Sequence, residues 1–235
     1  MPERLEIIYQ DTNLVAINKP PGLLVHRSSI AADAEEYAVQ ILRDQIQQKV
    51  NPVHRLDRKT SGVLLFALDS QSNKAMNEQF FNGEVEKSYL AIVRGYTPDI
   101  GTINYPLKKE NGTLQNAITN FRTLQRTEIP VAFGKHLTQR YSLVEVKPET
   151  GRMHQIRKHF AHIFHPVIGD RPHGCNKQNR LFKEQRQMTQ MLLHARSVTF
   201  SHPLTNFPIH IEASLHFEFL RMIKELSFND TLFSY

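Results

Sequence analysis

The sequence predicts an α+β fold, with a mixed, mostly antiparallel central sheet flanked by helices and loops. Three observations lead there. Apolar runs of strand length outnumber amphipathic segments of helix length. The two kinds do not alternate strictly, as the strands and helices of a parallel α/β sheet would. The chain has 235 residues, 40% hydrophobic and 22% charged, which fits one globular domain, expected here as two lobes sharing one sheet.

The elements follow in order. Residues 6–9 and 14–18 read as short strands about an Asp11-Thr12-Asn13 turn. Lys19-Pro20-Pro21-Gly22 breaks the chain, and 23–26 resumes as a strand. Residues 37–46 carry apolar side chains at 38, 39, 42 and 46, a helical spacing. Residues 63–68 form a continuous apolar run, as a strand buried on both faces should. Asp69 or Ser70 can cap a helix running to about Phe81. Residues 87–94 read as a strand. Residues 95–116, polar and carrying Pro98, Gly101, Pro106 and Gly112, read as loop or irregular structure. Strands are expected again at 117–121 and 140–147. A Pro148-Glu149-Thr150-Gly151 turn then leads into a helix over 152–164, with Met153, Ile156, Phe160, Ile163 and Phe164 at helical spacing. Residues 192–200 and 209–213 return to strand, and 215–226 close as a helix.

Composition excludes several classes. The start, MPERLEIIYQDTNLV, carries charges throughout and has no apolar core, unlike a signal peptide. The run at 63–68 is far short of a membrane span. Cys175 is the only cysteine, so neither an internal disulfide nor a cysteine zinc cluster is available. The expected place is a reducing cytoplasm, with no membrane and no obligate protein partner. The net charge of +6 favours a polyanionic partner. The charge is concentrated: residues 135–186 hold eleven Lys and Arg against four Asp and Glu. A solvated basic face is the plain reading. Phosphate binding is the sharper one, since each contact releases counterions.

The stretch VHRLDRKTSG, residues 53–62, carries the chemistry. Asp57 sits among His54, Arg55, Arg58 and Lys59, with no other acid within ten positions. Positive neighbours favour the charged form of a carboxylate. Such a group suits a nucleophile or charge stabiliser better than a general acid, which needs a raised pKa. A surface ion pair is the alternative. The Thr60-Ser61-Gly62 turn weighs against it, because it leads straight into the buried run and gives a loop carboxylate rigid support.

HRLDRKTSG resembles the HRLD-x-x-TSG signature of the RluA family of pseudouridine synthases. Further blocks follow in the family's order: Lys19-Pro20-Pro21-Gly22 with Val25-His26, Lys87-Ser88-Tyr89-Leu90-Ala91, and TGRMHQIRKH at 150–159. His165-Pro166, Gly169-Asp170 and Leu193-His194-Ala195 complete the set. The resemblance spans about residues 5–213. It implies the catalytic fold of that family. The KPxG block begins at residue 19, so no separate amino-terminal RNA-binding domain is expected. It implies no cofactor, because the reaction breaks the N1–C1′ bond of a uridine, turns the base and rejoins it through C5.

Residue by residue, the resemblance makes Asp57 the catalytic carboxylate, Arg157 the arginine that pairs with it, and Tyr89 the family tyrosine that stacks on the uracil. Arg55 matches the residue that enters the stack vacated by the flipped base. His54, Arg58, Lys59, Lys19, Arg152, His154 and Lys158 are expected on the RNA. Shorter stretches resemble a tRNA-modifying branch: Leu24-Val25-His26-Arg27-Ser28, Pro130-Val131-Ala132, His173-Gly174 and Gln178-Asn179-Arg180. They imply uridine 65 of tRNA, in the T stem; the alternative is a ribosomal RNA uridine. Two rivals remain. His154, His159, His162 and His165 cluster around one predicted helix, with Asp170 following, and suggest a metal-dependent hydrolase, but the HExxH pairing is missing, so no metal is expected. A non-catalytic RNA-binding protein or tRNA-folding chaperone would not need Asp57, Tyr89 and Arg157 in their matching blocks.

Overall fold

A computed structural model describes residues 4–26 and 36–229. Arg27 and Ser28 of the Leu24–Ser28 stretch lie outside the described residues. The chain divides into two compact units, one of Met1–Lys87 with Ala195–Ser214, the other of Ser88–His194 with Leu215–Tyr235.

The first unit opens with β1 (Ile7–Gln10) and β2 (Leu14–Lys19), then α1 (Ala38–Ile46), β3 (Asn51–Pro52), β4 (Ser61–Ala67) and α2 (Ser70–Asn82). Both β2 and β4 are buried along their whole length, which is why apolar residues dominate them, at 14–17 and 63–67. They pair antiparallel from Leu14↔Ala67 to Lys19↔Gly62. That register sets the KPPG turn and the start of the TSG strand at one end of the sheet. Asp69 caps α2 by accepting from the Ser72 backbone N–H at 2.8 Å, as expected of the Asp69-Ser70 boundary. Residues 23–26 form a single bridge, Leu24↔Tyr37, and not a strand.

The second unit contains β5 (Glu86–Arg94), whose first two residues belong to the first, then β6 (Ile100–Asn104), β7 (Leu107–Lys108), β8 (Leu114–Gln115), β9 (Ile118–Ile129) and β10 (Gln139–Pro148). Within it the strand order is β5-β10-β9-β6, all antiparallel. Residues 95–116 therefore hold an edge strand and the small β7–β8 hairpin where irregular chain was expected. β9 runs twelve residues, well past the five expected. Its inward side is built partly from Thr119 and Thr127, which show no apolar alternation. Helix α3 (Gln155–His162) starts later than expected, after a turn in which His154 adopts φ 57°. Helix α4 (Asn176–Arg186) was not anticipated: Gln178 and Phe182 are its only buried residues, too few for a periodic apolar stripe.

Strand β11 (Leu193–Ser201) returns the chain to the first unit, β12 (Pro208–Glu212) pairs with it antiparallel, and α5 (Phe217–Glu225) packs in the core of the second. Gly62 sits at φ 104°, and a Cβ there would lie 2.1 Å from the Ala195 carbonyl oxygen. The glycine of the TSG turn is thus required by the close approach of β11. No helix among the described residues is long and apolar enough to cross a membrane.

Candidate active site

Asp57 is half-buried in the loop before β4. The loop closes on itself, with the Thr60 N–H donating to the Asp57 carbonyl at 3.0 Å. It is tied to the KPPG turn by the Gly22 N–H donating to the Arg58 carbonyl at 2.8 Å and by Arg58 Nε donating back to the Gly22 carbonyl at 3.0 Å. Lys19 completes the tie. Its side chain is fully buried, and Nζ donates to the carbonyls of Pro20, Leu23 and Arg58 at 2.8, 2.9 and 3.1 Å. One ammonium thus fastens both loops at the end of the β2–β4 pair. Burial pushes its pKa down to about 7, and the Asp57 charge acts against that fall.

Two of the expected RNA ligands have internal partners. Lys19 has no exposed surface and spends its donors on main-chain carbonyls, so it cannot reach a phosphate. His54 accepts the Leu65 N–H on Nε2 at 3.0 Å and stacks on Phe80 with centroids 5.0 Å apart. A nitrogen that accepts is unprotonated. Burial, with Lys87 adding to it, pushes the His54 pKa down to about 4. The ring is a neutral brace between β4 and α2, not a cation for phosphate. Arg55 and Arg58 are exposed on the loop, and Lys59 is half-exposed.

In the second unit, Tyr89 is half-buried on β5 against the cluster that includes Phe160, Val146 and Ile156. Register Val146↔Tyr89 puts it near the end of β10, from which the chain turns into α3. Gln155 knits that turn. Its Oε1 accepts from Thr150 Oγ1 at 2.7 Å and from the Arg152 N–H at 3.0 Å, while Nε2 donates to the Ile118 carbonyl at 2.9 Å. Arg157 follows, 6% exposed. Its Nε and Nη2 donate to Asp170 Oδ2 and Oδ1 at 2.8 and 2.7 Å, a two-pronged buried ion pair. Asp170 is in turn fixed by Asn179 of α4, which donates from Nδ2 to the Asp170 carbonyl at 2.7 Å and accepts the Gly169 N–H at 3.0 Å.

His154 and His173 meet at 2.9 Å between Nδ1 and Nε2, and burial lowers the His173 pKa. At Gly174 a Cβ would fall 2.1 Å from the Asp170 carbonyl oxygen, so close packing requires the glycine there. Arg152 and Lys158 are half-exposed, and Arg152 Nε donates to the Asn116 carbonyl at 3.1 Å. The other histidines of this block, in and just after α3, are engaged individually. His159 bonds Thr119 and the Tyr105 carbonyl, His162 stacks on Tyr105, and His165 bonds the Arg94 carbonyl. Among the described residues no three His, Cys, Asp or Glu are grouped to hold a metal.

The loop at 53–62 and the α3 block at 150–159 are each built around one charged group. A model of the RNA pseudouridylate synthase family matches residues 13–162, which contain both. The chain belongs to that family. It is an RNA pseudouridine synthase, an isomerase, with the α+β fold of its relatives. It is 45% identical to tRNA pseudouridine synthase C of Vibrio cholerae, covering 97% of this chain and 98% of that one. The protein of the same description from Haemophilus ducreyi is 46% identical over 98% and 99%. Among solved structures, human RNA Pseudouridylate Synthase Domain Containing 4 superposes with a TM-score of 0.71 at 26% identity, covering 94% of this chain and 92% of that one.

The motifs of the synthase were readable in sequence, but the supports of its charged groups were not. Asp170 is thirteen positions from Arg157 with no local pattern linking them. Lys19 looked like one more basic residue. The one available signal was its place between the apolar run 14–17 and the Pro20-Pro21-Gly22 turn.

Proposed function

We propose that this synthase isomerises a uridine of tRNA, uridine 65 in the T stem, with Asp57 as its catalytic carboxylate. The observation that carries the reading is similarity along nearly the whole of both chains to proteins described as tRNA pseudouridine synthase C, at 45–46% identity. The proposed place of action is the reducing cytoplasm.

Each residue then has a task. A uridine within a helix must first be turned out, at a cost of a few kcal/mol. Arg55, exposed on the Asp57 loop, fills the gap it leaves. Attack on C1′, attack on C6 and proton removal from C2′ all require an ionised carboxylate at Asp57. Arg157 is assigned to orient that carboxylate, and the Asp170 clamp restrains the guanidinium for the task. Tyr89 stacks on the freed uracil, and its hydroxyl helps remove the C5 proton in the last step. The N1–C1′ bond breaks, the C5–C1′ bond forms, and the proton leaving C5 is matched by one gained at N1, so nothing is oxidised. Arg58, Lys59, Arg152, His154 and Lys158 meet the RNA backbone, which fixes position without reading bases.

Pseudouridine mapping of RNA from cells with and without the protein tests the reading. One T-stem uridine should lose its modification. Loss at a ribosomal RNA position instead would replace the substrate assignment, and no loss anywhere would remove it. Arg55→Ala should impair structured tRNA far more than a short single strand; equal impairment would end the wedge role.

A further inference from the structure

The second unit has a positively charged cavity, of about 450 Å³, at the Arg94 end of β5. Tyr89 pairs with Val146 and Arg94 with Tyr141, so five residues of strand, roughly 17 Å, separate Tyr89 from Arg94. Arg94, Lys135, His136 and Arg140 line the cavity, and none of its lining residues is acidic. Outside the lining, Glu128 accepts from Arg140 Nε at 3.1 Å. Two of the cations lie on aromatic rings: the Arg94 guanidinium is 5.8 Å from the Phe133 centroid, and that of Arg140 is 5.2 Å from Tyr96. The wall is rigid. Gln178 of α4, 1% exposed, donates to the Tyr141 hydroxyl at 2.6 Å and also to Gln139.

Basic side chains stacked on flat rings suit a nucleic acid. The guanidinium edge meets a phosphate while the ring and cation planes accept a base. The size suits one nucleotide. The distance from Tyr89 is too great for the reacting nucleotide itself. We propose that this cavity is a second RNA site, holding a phosphate and its base from a part of the tRNA outside the target stem. The proposal rests on the reading of tRNA as substrate.

The test compares full-length tRNA with an isolated T-arm hairpin. Labelled RNA binding and single-turnover pseudouridine formation are measured for wild type and for the double variant Lys135→Glu, Arg94→Gln. The dissociation constant for full tRNA should rise roughly tenfold, and the slope of log affinity against log salt should fall by about 1 to 2. Binding and turnover of the hairpin should not change. Phe133→Leu should weaken full tRNA by about threefold through lost stacking. Should the double variant unfold, Lys135→Glu alone decides, because that side chain is exposed. Wild-type affinity for full tRNA in the variants, or equal losses on tRNA and hairpin, would overturn the proposal. A wild-type protein that binds tRNA but modifies none of it would sink the substrate reading, while the binding comparison would still judge the cavity.

Discussion

Lys19 and Arg157 are both buried cations, one in each unit, yet they are held in opposite ways. Arg157 is gripped by a carboxylate, in a two-pronged ion pair whose members are 7% and 1% exposed. Lys19 is held by three neutral carbonyls, and the charge that favours its protonation is Asp57 itself. An arginine keeps its charge at any working pH; a buried lysine does not. One unit thus supplies a permanent charge, the other a charge that weakens near neutrality. The two cations should therefore fail differently.

The largest effect belongs to the ion pair. Asp170→Asn leaves Arg157 buried without its carboxylate and should cost about 3–5 kcal/mol in urea unfolding. It should also lower kcat on tRNA, since the guanidinium is no longer held in one orientation. Unchanged stability would mean that the pair is not closed in solution. Lys19→Met strips three carbonyls of their donor and should cost about 3 kcal/mol. The pH dependence sharpens the contrast. Between about pH 7 and 10.5 the unfolded chain keeps a proton on Lys19 that the folded chain releases. Wild-type stability should therefore rise with pH across that window, and Lys19→Met should flatten the rise. The same slope in wild type and variant would contradict the burial argument.

The smallest effect comes from His54. Its folded pKa is about 4 against an ordinary 6.5, so the unfolded chain takes up a proton in that interval while the folded chain does not. Stability should fall as pH drops from 6.5 towards 4. His54→Gln, whose amide oxygen can still accept the Leu65 N–H, should remove about 1–2 kcal/mol of that fall in acid unfolding curves. An unaltered acid profile would show that the ring is not the neutral brace.

How much of this was legible in sequence differs between the same two regions. The Asp57 loop announces itself: the isolated acid, the TSG turn and the apolar strand are contiguous, and local pattern carries them. Gly62 was visible as a turn residue, although its cause, the carbonyl of Ala195, lies far along the chain. The Arg157 block was equally plain, but its clamp joins residues 157, 170 and 179 through side chains with no shared periodicity. Helix α4, which carries Asn179, was hidden because its buried face is narrow and half polar. Lys19 and His54, expected on the RNA, have internal partners that sequence did not show, for one reason. Charge is readable in sequence, but the burial that removes or repurposes it depends on which carbonyls and rings the fold brings near.

The most direct measurement is single-turnover pseudouridine formation on tRNA by Asp57→Asn, with tRNA affinity measured alongside. The amide keeps the shape of the carboxylate but not its charge. Product formation should fall at least about a thousandfold while affinity stays within a few fold of wild type. Pseudouridine formed by Asp57→Asn at a rate near that of wild type would contradict the assignment of the carboxylate and the account built on it.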